Sequence, residues 1–577
     1  MFTRIVHVRG KDKTYKYLQV VESYYQDGKS KKRVLGNLGQ VEMLGKNLDG
    51  LVRSLNRYCQ RPMVVPEEIR GDSAGIWGPV LVARHLWEQV GLGEKMGRLC
   101  GSAQQGFDVG ETAFVLVANR LTAPTSEHGL ARWLEHTFVT DRDGRRWEPA
   151  WLPPEAVTKE QRVRVEPAQL NGWYRTLDAL LGGKEALERE LYETVRDLFS
   201  LKVDVVFYDV TSTYFQRREP KGELRRHGHS RDGRPRDVQV VVGVAMANGW
   251  PIAHHVWSGN TADKATWPET VEDLQRRFEI GRVIVVGDRG MVNPENLDQT
   301  VKRGFRYVVA IPGRRCEEAA QVLGKIEEKA WQAVDEGNQV QEVKLDEAPV
   351  RYLVVESAER KVYEQSQRQR SMKRTQERLD KIVKAVSEGR LKDPAKIGAR
   401  AARAMADDHG TRYYSHEVTP QGEFRFWEDK EKLEAETWRE GRYILKTNDQ
   451  RITPADAVEA YKELATVEAG FRDLKDVLAM RPVWHKTDDR VRAHIFVATL
   501  ALFLKRTLQH QLDQAKVPLS ATEALEAMKS ATVTELDLNG VKRRIVSGPG
   551  PDGHRVLNAL GIRAVCPPAP PSAADTR

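Results

Sequence analysis

The sequence predicts a multidomain α/β protein, and three observations carry that prediction. Short β-rich runs alternate with helical stretches between Leu201 and Pro312, a long helical stretch precedes them, and a segment of roughly 140 residues with mixed patterning separates them from one more amphipathic helix. At 577 residues the chain has room for roughly two to four domains of ordinary size.

Composition bounds the function. Lys and Arg number 91 against 82 Asp and Glu, a net charge of +9 with a pI near 9.1, which suits a nucleic-acid partner without establishing one. The four cysteines, Cys59, Cys100, Cys316 and Cys566, are too widely separated for a CxxC metal knuckle or a disulfide framework, so the chain reads as one kept reduced. The N-terminus lacks the apolar core of a signal peptide, and the longest apolar run, Ile495 to Leu504, is too short to span a bilayer. A cytoplasmic protein with no membrane partner is expected.

Taken in order, residues 1–70 alternate apolar and polar positions around the turn Asp27-Gly28-Lys29-Ser30 and read as a small β-rich unit. Residues 71–200 turn helical, with apolar residues at helical spacing over Ile76 to Val90, Gly110 to Leu121, Glu127 to His136, Leu170 to Leu181 and Lys184 to Phe199. They are the candidate DNA-binding domain, although no helix-turn-helix signature stands out and a purely structural unit fits as well. Residues 201–312 read strand, strand, strand, helix, strand, helix, strand: Val203 to Tyr208, Val238 to Met246, Pro251 to Trp257 after the turn Asn248-Gly249, Thr266 to Phe278, Arg282 to Gly287, Pro294 to Arg303 and Tyr307 to Ile311. An antiparallel trio followed by alternating helices and strands is the order of a ribonuclease-H-like fold.

Residues 313–450 form an insertion of mixed strands and helices. Its strand-like runs are Val350 to Val355, Tyr413 to Val418, Phe424 to Trp427 and Tyr443 to Lys446, and Ser357 to Ala406 reads as one or two long, charged, exposed helices interrupted near Gly389 and Pro394. Those basic helices could lie along DNA or simply be solvated. Residues 451–512 return to the core with the helix Ala455 to Met480 and the apolar helix Val491 to Gln511, and 513–577 form a C-terminal extension whose tail from Pro567 reads as disordered.

The helix from Ala455 to Met480 organises the candidate site. Leu464, Val467, Phe471, Leu474 and Leu478 recur at steps of three and four and mark its buried face, while Tyr461, Glu468 and Lys475 recur at steps of seven along its margin. Asp209 ends one apolar run and Asp288 ends another, the position where open sheets gather ligands. Two Asp and one Glu on rigid elements are what a pair of magnesium ions needs, since hard cations take oxygen ligands. Asp204, five residues before Asp209, faces the opposite way, and Asp232, Asp237 and Asp263 read as turn, strand-side or cap residues. His227 with His229, and His254 with His255, lack further ligands at zinc spacing. Trp427 and Trp438 could stack on an unpaired base or simply pack.

With these residues in view, the chain resembles the DDE transposases of bacterial insertion sequences, in the branch whose glutamate lies in a Tyr-x2-Arg-x3-Glu-x6-Lys signature. Tyr461, Glu468 and Lys475 match; Leu464 stands where the Arg is expected, and Arg472 is the nearest substitute. The resemblance extends through YDVTSTYF at Asp209, DGRPRDVQVVVG from Asp232, SGNTAD from Ser258, GDRGM at Asp288 and RVRAHIFVATLAL from Arg490, covering about two-thirds of the chain in order. It implies that Asp209, Asp288 and Glu468 are catalytic and bind two Mg²⁺ ions, for which Mn²⁺ can substitute. It also implies that Tyr461, Arg472, Lys475 and Arg289 contact DNA, and that a homodimer acts on double-stranded DNA at the nucleoid of a bacterial cytoplasm. The implied reaction cleaves the terminal inverted repeats and joins them to target DNA. The alternatives are a metal-dependent nuclease that does not join ends, and a DNA-binding repressor with an inactive core.

Overall fold

The computed structural model describes residues 1–45, 47–56, 58, 70–101, 107–153, 165–198, 205–278, 284–287, 293–311, 316–345, 350–538 and 541–568. They divide into two compact units.

The first unit comprises Met1–Gly75 and Val533–Ser547. Phe2–Arg9 (β1), Thr14–Gln26 (β2) and Lys29–Gln40 (β3) form an antiparallel sheet in that order. Asp27 and Gly28 make its β2–β3 turn, both at positive φ (52° and 72°), which Asp and Gly tolerate and β-branched residues do not. Val41–Leu44 (α1) and Leu48–Asn56 (α2) follow, and Arg70–Ile76 (β4) belongs to a three-stranded sheet with two strands from near the C-terminus.

The second unit, Ile76–Thr532 with Gly548–Arg577, holds everything else. Its helices begin with Gly78–Gln89 (α3), Leu92–Cys100 (α4), Val109–Thr122 (α5), Leu130–His136 (α6), Pro167–Gly182 (α7) and Lys184–Leu198 (α8). Asp108 caps α5 by accepting a hydrogen bond from Glu111 N at 3.0 Å. Every residue of α5 from Val109 to Leu121 is buried, with α3, α4, α7 and the long helix Asp488–Gln514 packed against it. The reason lies in its sequence, FVLVA through the middle, which leaves no polar face; α5 therefore offers nothing to DNA.

The next stretch runs Val205–Tyr214 (β5), Gln239–Ala247 (β6), Trp250–Ser258 (β7), Asp263–Phe278 (α9), Ile284–Gly287 (β8), Pro294–Lys302 (α10) and Arg306–Ala310 (β9). β6 pairs antiparallel with both β5 and β7, and β5, β8 and β9 run parallel. The β6–β7 turn holds Asn248 and Gly249 at φ 49° and 87°, the left-handed pair a two-residue hairpin requires. One expectation needs correcting: β5 does not stop at Tyr208. Thr211, Ser212, Thr213 and Tyr214 keep pairing with β6, because a run of β-branched and aromatic residues extends a strand whether or not it is hydrophobic.

Next come Glu317–Leu323 (α11), Gln332–Asp335 (β10), Asn338–Lys344 (β11), Arg351–Ser357 (β12), Ala358–Ser387 (α12), Pro394–Asp407 (α13), Tyr414–Val418 (β13), Phe424–Glu428 (β14), Lys430–Arg439 (α14) and Arg442–Thr447 (β15). The two long charged helices fall where the sequence puts them, broken at Gly389 (φ 68°) and restarted at Pro394 behind the cap Asp393. The strands β10, β11, β12 and β15 do not stand apart from the region before them. They continue its sheet, in the order β10-β11-β12-β15-β9-β8-β5-β6-β7, with α11 packed on them through Val322, Val343, Tyr352, Val354 and Ile444. The excursion between β12 and β15 has a further core, built from Leu379, Ile382, Ile397, Met405, Tyr414 and Phe424.

The chain closes with Pro454–Arg472 (α15), Asp488–Gln514 (α16), Ala521–Met528 (α17), Thr532–Leu538 (β16), Val541–Val546 (β17) and Pro551–Ala559 (α18). Among the described residues no helix is long and apolar enough to cross a membrane.

Candidate active site

Asp209 sits inside β5, opposite Val244 of β6. Val206, Tyr208 and Val210 enter the core cluster formed with Trp267, Val271 and Leu274 of α9, so Asp209, with Phe207 and Thr211, belongs to the other face of the sheet. Its side chain is half-buried, and Oδ1 accepts a hydrogen bond from Val210 N at 2.7 Å.

Glu468 rides on α15, which starts at Pro454 behind the cap Thr453, whose hydroxyl accepts from Asp456 N. α15 packs on β5, β8 and β9, and all five residues of its apolar stripe are buried. Gly470 lies against Met246, the residue paired with Phe207 on β5. The helix carrying Glu468 therefore covers the sheet face to which Asp209 belongs. Glu468 and Arg472, one helical turn apart and on one side, are both exposed.

β8 ends at Gly287, in register with Tyr208 of β5. Asp288 and Arg289, next in sequence, lie outside the described residues, as do Asp204 and the tail from residue 569.

The α-helix does not continue to Met480. It gives way at Asp473 to a π-helical turn through Val477, and Ala479 turns the chain at φ 43°. Lys505 of α16, itself buried, donates to Asp473 Oδ1 at 2.7 Å and holds this widened turn. Lys475 consequently points into the protein, where its ammonium donates to Asp232 Oδ1 at 2.8 Å; Arg481 donates to the same oxygen. Burial pushes the Lys475 ammonium below its ordinary pKa, against the pull of Asp232, and the neighbouring Arg481 and Arg231 charges push the same way. Asp232 is the residue that sequence reasoning undervalued. It is 3% exposed rather than a solvated turn residue, and its Oδ2 is buried without a hydrogen-bond partner among the described residues. Beyond its place in the DGRPRDVQVVVG stretch of the resemblance, its local signal is a polar turn, DGRPRD, which does not tell a buried ion pair from a solvated loop.

The loop bearing Asp232 joins β5 to β6 and is fastened to the chain just before α16. Asp488 Oδ2 accepts from Glu223 N and Leu224 N, and Arg225 donates to the Lys486 carbonyl. Tyr461 packs its ring 5.5 Å from that of Tyr443, at the far end of α15 from Lys475. Among the other candidates, Asp263 pairs with Arg231 and Asp237 with Arg234. Glu188 Oε1 accepts from His254 N at 3.1 Å and from His254 Nδ1 at 2.6 Å, and His255 lies 3.2 Å from Asp273. Trp438 stacks against the Arg442 guanidinium, whereas Trp427 is half exposed.

A second polar cluster was invisible in the sequence, because its members are far apart along it. Glu127, His485 and His494 are all buried, with one ligand atom from each within 4.8 Å of the others. His494 Nε2 lies 3.3 Å from the Met480 carbonyl, and Arg120 Nη2 lies 3.5 Å from His494 Nδ1. Burial would raise the Glu127 carboxyl, but its hydrogen bonds with His485 and His494 prevail and hold it well below the usual range. Burial and the Arg120 charge push His494 down to about 4. The Arg120 charge lies beside this cluster and opposes a further cation there. The cluster ties the turn after α15 to α5 and α16, Arg120 donating to the Ala479 carbonyl and His494 meeting the Met480 carbonyl.

Two family descriptions match the sequence. "Transposase DDE domain" matches residues 203–504, just over half the chain, and "IS1634 family transposase, N-terminal domain" matches residues 3–69. The chain belongs to the DDE transposases of insertion sequences. The matched span of this transposase begins at the strand leading to Asp209 and ends within α16, so it includes Asp209, Asp288 and Glu468. No curated protein matches the chain. Among solved structures, the cryo-EM structure of the piggyBac transposase synaptic complex with hairpin DNA aligns over 79% of this chain and 80% of that one, at 8% identity and a TM-score of 0.33.

Proposed function

We propose that this transposase binds the terminal inverted repeats of its insertion sequence, cuts the DNA there, and joins the freed ends to target DNA. In this reading β7-β6-β5-β8-β9 is a ribonuclease-H-like core, and Asp209, Asp288 and Glu468 form one site. The observation that carries it is the packing of α15 on the sheet face of Asp209, together with β8 ending level with Tyr208 immediately before Asp288 in the sequence.

Three carboxylates are hard oxygen donors, the set Mg²⁺ takes, and the half-buried Asp209 with the exposed Glu468 fits an ion that must also meet a substrate. When bound, a pair of such ions supplies Lewis acidity at the entering and leaving oxygens of an in-line displacement. The protein's own groups do the holding. β5 fixes Asp209 by its pairing with Val244 of β6, one residue past the last β5–β8 pair, α15 fixes Glu468 by its buried face, and Arg472 meets phosphate charge one turn away. Lys475 and Arg481, tied to Asp232, add positive potential from beneath rather than direct contact. Water attacks the scissile phosphorus and frees a 3′-hydroxyl, which attacks a target phosphodiester in the second step. No covalent protein intermediate is needed, and a homodimer would bring two ends together.

The test uses purified protein with a duplex carrying the terminal repeat. Asp209→Asn, Asp288→Asn and Glu468→Gln are each expected to lower cleavage by on the order of 10³-fold or more, as for residues acting as a unit, while leaving DNA affinity within a few-fold. Unchanged cleavage in any of the three removes that residue from the site. Cleavage without joining in the wild type identifies a nuclease instead.

A further inference from the structure

The excursion between β12 and β15 concentrates the charge of the molecule. Residues 358–407, α12 with α13, hold fourteen Lys and Arg against seven Asp and Glu, a surplus of seven in a chain whose total is +9. An ordinary solvated helix would spread such charges in alternating pairs. In α12 they are sorted by face. Thr375, Leu379, Ile382 and Ala385 are buried against α13 and the β13–β14 hairpin. On the opposite side Arg370, Lys373, Arg374, Lys381 and Lys384 form an exposed stripe whose acids are Glu377 and, at its margin, Asp380, with Lys384 paired to Glu388 past the helix end. Arg370, Lys373, Arg374 and Lys381 make no ion pair among the described residues. By contrast Arg360, Arg368 and Arg378, off the stripe, are paired with Glu364, Glu440 and Asp407. Beside the stripe opens a cavity of about 670 Å³ lined by both signs of charge, Arg370, Arg374 and Arg412 among the cations and Asp407, Asp408 and Glu436 among the acids.

Topology puts this stripe near the chemistry. β12 is antiparallel to β15, β15 is antiparallel to β9, and β9 is parallel to β8. β12 and β8 therefore point the same way, and α12 leaves β12 at the sheet edge where β8 ends before Asp288. Three strand spacings, about 14 Å, separate the two strands sideways, and because Gly287 is level with Tyr352, β12 runs five residues, about 17 Å, past the end of β8 before α12 begins. From Arg370 to Lys384 the stripe is about 21 Å long, enough to follow roughly six base pairs of duplex.

We propose that the α12 stripe grips the phosphate backbone of the transposon-end duplex beside the cleavage site. The inference rests on the transposase reading above. It commits to end DNA rather than target DNA because the end must stay at this sheet edge through both displacements. The contacts are to phosphates, so they fix the position of the duplex without reading its sequence.

The test is fluorescence anisotropy on the full-length protein over a range of KCl concentrations. Two labelled duplexes are used, one carrying the terminal repeat with its flank and one unrelated, and wild type is compared with the triple variant K373Q/R374Q/K381Q. All three positions are exposed, and a charge-keeping control, K373R/K381R, is expected to match wild type. Loss of three phosphate contacts is expected to shallow the slope of log affinity against log salt for the end duplex by about 2 to 3, with at least a tenfold loss of affinity at low salt. An unchanged slope, in a protein that still binds and cleaves the end, overturns this inference and leaves the transposase reading intact. Weakening confined to the unrelated duplex overturns the assignment to end DNA. If the wild type binds neither duplex, both readings fall.

Discussion

At Asp232 one carboxylate serves two cations, Lys475 and Arg481, and the arithmetic of burial makes this knot expensive to cut. With side chains 3%, 11% and 25% exposed, the three charges keep little hydration of their own. Asp232→Ala would strand Lys475, while Arg481 keeps Asp476, and a cost of about 3–5 kcal/mol is expected, as for other half-removed buried pairs. Asp232→Asn keeps one acceptor and is expected to cost less. Urea midpoints for the three proteins check the order. The same variants are informative for the site, since release of Lys475 from its tether would shift the salt dependence of DNA binding while a purely structural loss would lower the midpoint alone. None of this was legible in DGRPRD, because a turn motif does not say whether the turn is packed under a helix. The lie of the helix carrying Glu468, in contrast, was legible, since Leu464, Val467 and Phe471 fix which face it buries.

Among the elements, the excursion from β12 makes the sharpest prediction. Its two ends meet: Ser357 N donates to the Gly441 carbonyl at 2.9 Å, and Glu356 pairs with Arg442. Replacing residues 358–440 by Asn-Gly is expected to leave a two-residue hairpin between Ser357 and Gly441, with the sheet register kept. Amide exchange should then find Val354 and Leu445 as protected as in the full chain; free exchange there would mean that the excursion, not the sheet, holds those strands. A proline at Val354 is expected to do the reverse, since β12 is bonded on both sides and a lost ladder bond there disrupts strands on either flank. The strands and helices of this region could be read from local pattern. That β12 and β15 would join the core sheet could not, because strand partners are chosen by burial on both faces and not by anything adjacent in sequence. For the same reason the π-turn at Asp473 was hidden: it depends on Lys505, a residue from another helix.

For the molecule as a whole, acid is the predicted weak point. His254 and His494 are fully buried and pushed down to about 4, by burial first and then by the neighbouring cations Lys184 and Arg120 respectively. Once unfolded, each would titrate near 6.5. The unfolded chain therefore binds more protons between those values, and stability falls as pH drops from about 6.5 toward 4, by up to about 1.4 kcal/mol per unit for each histidine. Urea midpoints at pH 7 and pH 5 check this, and His494→Gln should flatten the difference; an equal slope in the variant would remove His494 from the account. Whole-molecule features of this kind resist sequence reading because Glu127 and His485 are brought together from opposite ends of the chain. The meeting of Ser357 and Gly441 has one more consequence. A socket whose two rims touch constrains what is plugged into it only at the rims, so the size and shape of the attachment can vary while the carboxylates stay where they are. An unrelated DNA-gripping module with closely spaced termini could be grafted there, giving an enzyme with the same chemistry and a new hold on its substrate.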